Sequence, residues 1–203
     1  MATSPARGWE RKFERWLAPF LASLKREAQR HWAPIYLKGL LLPGERQSVE
    51  PLAARVAPGD TQQLHPFIGG SPWATGPLES VLAKEADKLV GGPDAVRVID
   101  ATALPKQGKH AVGVARQDCG CLGKRAHGQV LVSLTLACGE VPVPLGLRLF
   151  LPAEWAAEAA RCARAGRPEE HRRALAKTES ALEEIDRAIA AGARFGGVLA
   201  DAG

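Results

Sequence analysis

The apolar positions of this chain change their period near residue 91. Before that point they recur every three or four residues, and beyond it they alternate or run together. Trp9, Phe13, Trp16, Leu17, Phe20 and Leu24 form the first stripe and predict a helix over 9–31, which Pro19 should kink or split. Lys12, Arg15, Lys25 and Arg26 are interleaved with it; they suit an amphipathic helix resting on its own domain, or a basic helix facing DNA. A second apolar segment, 35–42, runs into the Pro43-Gly44 turn. Residues 45–56 are helix-compatible, with Val49, Leu52, Ala53 and Val56 on one face, until Pro58-Gly59-Asp60 breaks the pattern. Asp60 is placed to cap a short helix from Thr61. After Gly69-Gly70-Ser71-Pro72, residues 73–89 read as a helix with Leu78, Val81, Leu82, Ala86 and Leu89 inward. Short helices joined by tight turns describe a small bundle, and equally a helix-turn-helix module.

Gly91-Gly92-Pro93-Asp94 is the expected domain boundary. Residues 95–99 then read as a strand ending on Asp100. A second strand covers 129–137, with Val130, Val132, Leu134 and Leu136 on one face and Leu131, Ser133 and Thr135 on the other. After the turn at Cys138-Gly139-Glu140, a third covers 143–151, with Leu145, Leu147, Leu149 and Leu151 inward and Arg148 facing the other way. Pro142 and Pro144 push its start to an edge or a bulge. Residues 152–168 read as a surface helix and loop. A helix over 178–191 carries Leu182, Ile185 and Ile189 as its apolar stripe, and 195–200 form a fourth strand that ends on Asp201. The order β-β-β-α-β defines an α/β (α+β) protein, with a helical region over 1–90 and a sheet domain over 94–203. Such an order allows a helical crossover to lay the fourth strand beside the first and parallel to it. Asp100 and Asp201 would then leave one sheet edge about 5 Å apart.

Charge and composition refine this picture. Hydrophobic residues make up 46% of the chain, enough for a core, which excludes wholesale disorder. The net charge of +5 is a mild push toward polyanionic partners. The first 30 residues carry charges throughout, so no secretory leader, no membrane association and a cytoplasmic location are expected. Cys119, Cys121, Cys138 and Cys162 are then reduced thiols. Cys119 and Cys121, near His110 and His127, have one residue between them where a zinc knuckle has two to four, so they read as plain thiols with a metal site as the alternative.

The remaining signal lies around Asp100. A carboxylate at the end of a buried strand is costly unless something pairs with it, and a metal ion is one such partner. Asp100-Ala101-Thr102 is followed by Leu104-Pro105-Lys106, Gly108-Lys109-His110, Val112-Gly113-Val114-Ala115-Arg116-Gln117, Cys119-Gly120 and Leu122-Gly123-Lys124. This ordered series resembles the first catalytic block of DDE transposases of bacterial insertion sequences, and the similarity runs from about Tyr36 to Gly203. Asp201, in Val-Leu-Ala-Asp-Ala-Gly, is similar to the second acid of that family. The resemblance implies an RNase H-like core in which Asp100 and Asp201 are catalytic and hold Mg²⁺ or Mn²⁺. It implies double-stranded DNA, the ends of an insertion sequence, as substrate, with the N-terminal region recognising those ends. Lys106, Lys109, His110, Arg116 and Lys124 flank Asp100 and are expected to contact phosphates, the alternative being a solvated basic loop.

Three departures from the family pattern shape the expectation. The 203 residues contain no counterpart of the family's third acid, a later Glu. Ala101 stands where many relatives have Asp, and Asp118 where Tyr is usual. Lys124-Arg125-Ala126-His127 replaces Lys-Gln-Asp-Asn. The expectation is therefore a truncated RNase H-like β-β-β-α-β core, inactive as a nuclease alone, that forms homo-oligomers or pairs with full-length transposase. The alternative is a non-catalytic DNA-binding protein that occupies element ends or represses the full-length enzyme.

Overall fold

A computed structural model describes residues 5–44, 48–108 and 110–200. The chain divides into two compact units, Met1–Val81 and Leu82–Gly203.

The first unit is helical: α1 (Pro5–Ser23), α2 (Glu27–Leu41), α3 (Val49–Val56), α4 (Thr61–Gly69) and the opening turns of α5 (Thr75–Val90). Pro19 does not break α1. The break falls at residues 24–26, where the Ser23 hydroxyl donates to the Phe20 carbonyl (2.7 Å) and Arg30 donates to that of Leu24 (2.7 Å). Side chains thus satisfy carbonyls that the ended helix leaves without partners. The apolar segment 35–42 continues α2 rather than forming an element of its own. Of the predicted helix 45–56, residues 45–47 lie outside the described residues. Asp60 holds the N-cap position of α4, but its side chain makes no capping hydrogen bond. Leu24, Trp32, Leu52, Ala53, Leu64 and Phe67 form the core, with Tyr36 and Trp73 stacked edge-on against Phe67.

The second unit is a mixed sheet with helices: β1 (Val96–Pro105), β2 (Ala115–Cys119), β3 (Lys124–Cys138), β4 (Val141–Leu149), α6 (Ala153–Ala157), α7 (Ala159–Arg164), α8 (Lys177–Ala190) and β5 (Gly197–Ala200). Its five strands run β2-β3-β1-β5, with β4 also paired to β3. The α/β expectation holds, with one more strand than the sequence pattern revealed. β2 alternates polar and buried positions over only five residues, too short a run to stand out from the loops around it.

Three orientations differ from the expected ones. The β4 register slips between Leu134 and Thr135, so Leu134 pairs with Gly146 while Thr135 pairs with Pro144. Leu145 is the extra residue of this bulge and stays buried. Beyond it the alternation is inverted: Leu147 is 56% exposed, and Arg148 turns to the helix side and pairs with Glu184 at 2.7 Å. On α8 the buried face is Ser180, Ala181, Glu184 and Ala188, while Leu182 and Ile189 are 60% and 51% exposed. The rotation follows from charge. Glu184 lies between Arg148 and Arg187, and Gly146 beneath it leaves room for its carboxylate, which any Cβ there would strike. On α5, likewise, Ala83, Ala86 and Val90 are buried and Leu89 is exposed.

Residues 152–168 are not a surface element alone. Leu151, Trp155 and Cys162 are buried together. The Trp155 indole donates to the Val114 carbonyl (2.8 Å), and Arg161 stacks on its ring.

The loop before β5 is tied down by Arg194, whose backbone and side chain both donate to the Asp87 carboxylate. These hydrogen bonds hold Asp87 below the usual carboxylate range. A carboxylate depressed in the folded state adds stability above its ordinary pKa, about 3.9, and that stability is lost as pH falls through the lower folded value. We expect the melting temperature to fall more steeply below about pH 4 in the parent than in Asp87→Asn. Parallel acid titrations of the two proteins would show the ion pair to be irrelevant.

Candidate acidic site and nucleic-acid interface

β1 does not end at Asp100. Its ladder with β3 continues from Val96↔Ala137 to Pro105↔Gly128, which sets Asp100 mid-strand opposite Ser133. Nor is the acid buried. Val130, Val132, Leu134 and Leu136 point into the core, whereas their odd-numbered neighbours on β3 share the open face with Asp100. The expectation of a buried strand end is corrected on both counts. The carboxylate accepts from the Ala101 N–H (2.8 Å) and from Thr102 Oγ1 (3.0 Å), one bond to each oxygen. Each oxygen keeps a further lone pair toward solvent.

β5 lies beside β1 and parallel to it, in the register Val96↔Gly197, Arg97↔Val198, Val98↔Leu199 and Ile99↔Ala200. Asp100 is the next residue of β1, and Asp201, which follows Ala200, lies outside the described residues. An exposed carboxylate with open lone pairs is the hard oxygen donor that Mg²⁺ or Mn²⁺ takes, and open solvent leaves room for the waters such ions keep. Among the described residues no cluster of three or more His, Cys, Asp or Glu gathers to hold an ion. Cys119 is buried and Cys121 exposed, both as free thiols.

The basic residues fall on different sides of the sheet. Directly opposed residues of antiparallel strands share a face. Arg116 pairs with His127 and Asp118 with Arg125, and the Lys106 N–H donates to the His127 carbonyl (2.9 Å) just past the last β1–β3 pair. Lys106, His127 and Arg116 therefore form a row across three strands on the Asp100 face, with Arg125 two positions along. Lys124 pairs with Cys119 and belongs to the opposite side. His110 is exposed in the loop before β2, and Lys109 lies outside the described residues. Arg125 and His127 were not among the phosphate contacts expected from the sequence. Their signal was the alternation of Arg116 and Asp118 with them across a hairpin, legible only once β2 is recognised as a strand.

The loop leading into β2 is anchored by side chains. Gln117 donates to the Gly113 and Gly128 carbonyls, Gln129 to that of Val112, and Trp155 to that of Val114. Gly113 has φ +75°, and the Phe150 carbonyl lies 3.0 Å from where a Cβ would be, so another residue there would be both strained and crowded.

This mixed α/β sheet thus carries an exposed acid on its second-to-edge strand and a row of basic residues on the same face. Residues 19–203 match the family model of the DDE superfamily endonucleases, and the chain belongs to that family. Over 111 residues it is 30% identical to the probable transposase for insertion sequence element IS701 of Microchaete diplosiphon. That match takes in 54% of this chain and 29% of the relative, so the chain spans under a third of that protein's length. Among the described residues, no helix is long and apolar enough to cross a membrane.

Proposed function

We propose that this chain carries the end-binding region and the opening of the RNase H-like catalytic domain of an insertion-sequence transposase. In this reading residues 1–90 bind the ends of the element and 94–203 belong to the domain that handles the phosphodiester. The observation that carries it is the parallel β1–β5 pairing, whose last described pair is Ile99↔Ala200. In this reading the strand runs on by one residue, and Asp201 would then come opposite Asp100 at the strand spacing of about 5 Å, where two carboxylates could share one ion. Asp100 and Asp201 would hold Mg²⁺ or Mn²⁺. Such an ion, when bound, lowers the pKa of a water or hydroxyl and stabilises charge on a leaving 3′-oxygen. Lys106, Arg116, Arg125 and His127 would hold the phosphates of double-stranded DNA across the same face, joined by Lys109 and His110 from the loop, with Lys124 a lesser contact from the other side of the hairpin. A second copy of the chain or a full-length transposase is the expected protein partner.

These 203 residues hold two of the three acids that the resemblance implies. A protein made of them alone is expected to bind DNA without cutting it, since in-line displacement needs both ions held firmly and loose positioning costs a large factor in rate. The test incubates the purified chain with linear DNA bearing the element's ends and Mg²⁺ or Mn²⁺, with binding followed by mobility shift. A shifted band with intact strands is the expected outcome. Strand cleavage that vanishes in Asp100→Ala would mean that a complete site assembles, while the lack of any shift at low salt would remove the DNA-binding reading. Binding without cutting also serves the second reading, a protein that occupies element ends and represses a full-length enzyme.

A further inference from the structure

Arg97 is fully buried, three residues before Asp100 on the same strand. Its side chain lies on the helix side of the sheet, away from the open face. One guanidinium nitrogen donates to the Ile185 carbonyl of α8 (2.9 Å) and another to the Ala193 carbonyl in the α8–β5 connection (2.9 Å). The guanidinium also lies 3.7 Å over the Phe195 ring, two residues before β5 begins. No carboxylate pairs with Arg97 among its described contacts, and the charge of Arg187 nearby opposes its own. Burying such a group is costly, and an apolar residue would fill the space more cheaply. What the guanidinium provides instead is geometry: a rigid planar fork that reaches two carbonyls and a ring at once.

Those three contacts all grip the segment that delivers β5. The Gly196 N–H adds a bond to the Ala95 carbonyl (2.8 Å), and Gly196 has no room for a side chain against Pro93. Among the described residues β5 has four residues and pairs with β1 alone, and so short a ladder is a weak determinant of register. A slip of one residue would turn every β5 side chain to the opposite face.

We infer that Arg97 is a positioning residue of the acidic site: it locks the α8–β5 connection onto β1, and so fixes the register that ends at Ile99↔Ala200, beside Asp100. The inference rests on the proposed pairing of Asp100 with Asp201. Arg97 touches neither acid in this account and acts through the strand.

Two measurements test it on the full chain. Cysteines at Val98→Cys and Leu199→Cys are register partners on adjacent strands, within disulfide reach, whereas Val96→Cys with Leu199→Cys is two positions off and out of reach. Oxidation followed by peptide mapping gives the yield of each cross-link, and titration with Mn²⁺ alone gives metal affinity. Both are read well below each variant's melting temperature, so that a merely structural contribution would leave them unmoved. In Arg97→Met we expect the in-register cross-link to fall by roughly half or more and Mn²⁺ affinity to drop about tenfold, the scale seen when groups that orient metal ligands are removed. Arg97→Lys, which keeps a donor but not the fork, should recover part of both. If Arg97→Met does not fold, Phe195→Leu removes the ring alone and should give intermediate losses. Cross-link and affinity at parental levels in the folded variants would overturn the inference. Asp100→Asn separates the two ideas: it should lose Mn²⁺ and keep the cross-link. Unaltered Mn²⁺ affinity in Asp100→Asn would remove the carboxylate pair, and the role given to Arg97 with it.

Discussion

Replacing Glu184 with glutamine is expected to come close to unfolding the sheet unit. Glu184 is buried between Arg148 (2.7 Å) and Arg187 (2.6 Å), and Arg187 also donates to the Leu145 carbonyl (3.0 Å). Arg148 and Arg187 both pair with this carboxylate. Glutamine keeps the shape and removes the buried negative charge that both arginines pair with. Breaking a buried pair in this way costs about 3–5 kcal/mol, because the partner charge is left uncompensated. Domains of this size have about 5–15 kcal/mol in total. Equilibrium urea unfolding of Glu184→Gln against the parent measures the cost, with Leu182→Ala on the exposed side of α8 as a control expected within about 0.5 kcal/mol. A loss under about 1 kcal/mol for Glu184→Gln would show that water, not the carboxylate, compensates these arginines.

The second large effect is on DNA affinity. Neutralising Lys106, Arg116 and Arg125 together, each to glutamine, should weaken binding to any duplex regardless of sequence. Each phosphate contact releases condensed counterions, so each lost contact flattens the plot of log affinity against log salt by about 0.9. The open-face row predicts that these three act together, whereas Lys124→Gln, on the other side of the hairpin, should act less. Fluorescence anisotropy with a labelled duplex at several salt concentrations gives both slope and affinity. A triple variant whose slope matches the parent would remove the sheet face as the phosphate contact and leave the helical unit as the remaining candidate.

Sequence alone carried the class of this protein a long way. The change of period near residue 91, the apolar alternation at 130–136 and the helix before the last strand led to a mixed α/β fold with β5 beside β1, and the structure has that pairing. These features are local, or follow from the handedness of a crossover, so they survive in one dimension. The ordered motif from Asp100 to Lys124 led to the family in which the chain belongs.

Tertiary structure decided which way the side chains look, because that depends on partners distant in sequence. Asp100 reads as a strand end from its own neighbours, but the 15-residue β3 extends the ladder past it to Pro105 and leaves it exposed. Leu147 and Arg148 exchange faces because one bulge shifts the register, an event no alternation pattern contains. Leu182 and Ile189 form the better apolar stripe on α8, yet the helix buries Glu184 and small alanines instead. Three arginines from β1, β4 and α8 itself converge on that side of the sheet, and satisfying buried charge outweighs the burial of two aliphatic side chains. Arg97 shows the same limit: one arginine in a run of valines, read as a strand residue from sequence, becomes the tie between β1 and β5 only when the chain returns nearly ninety residues later.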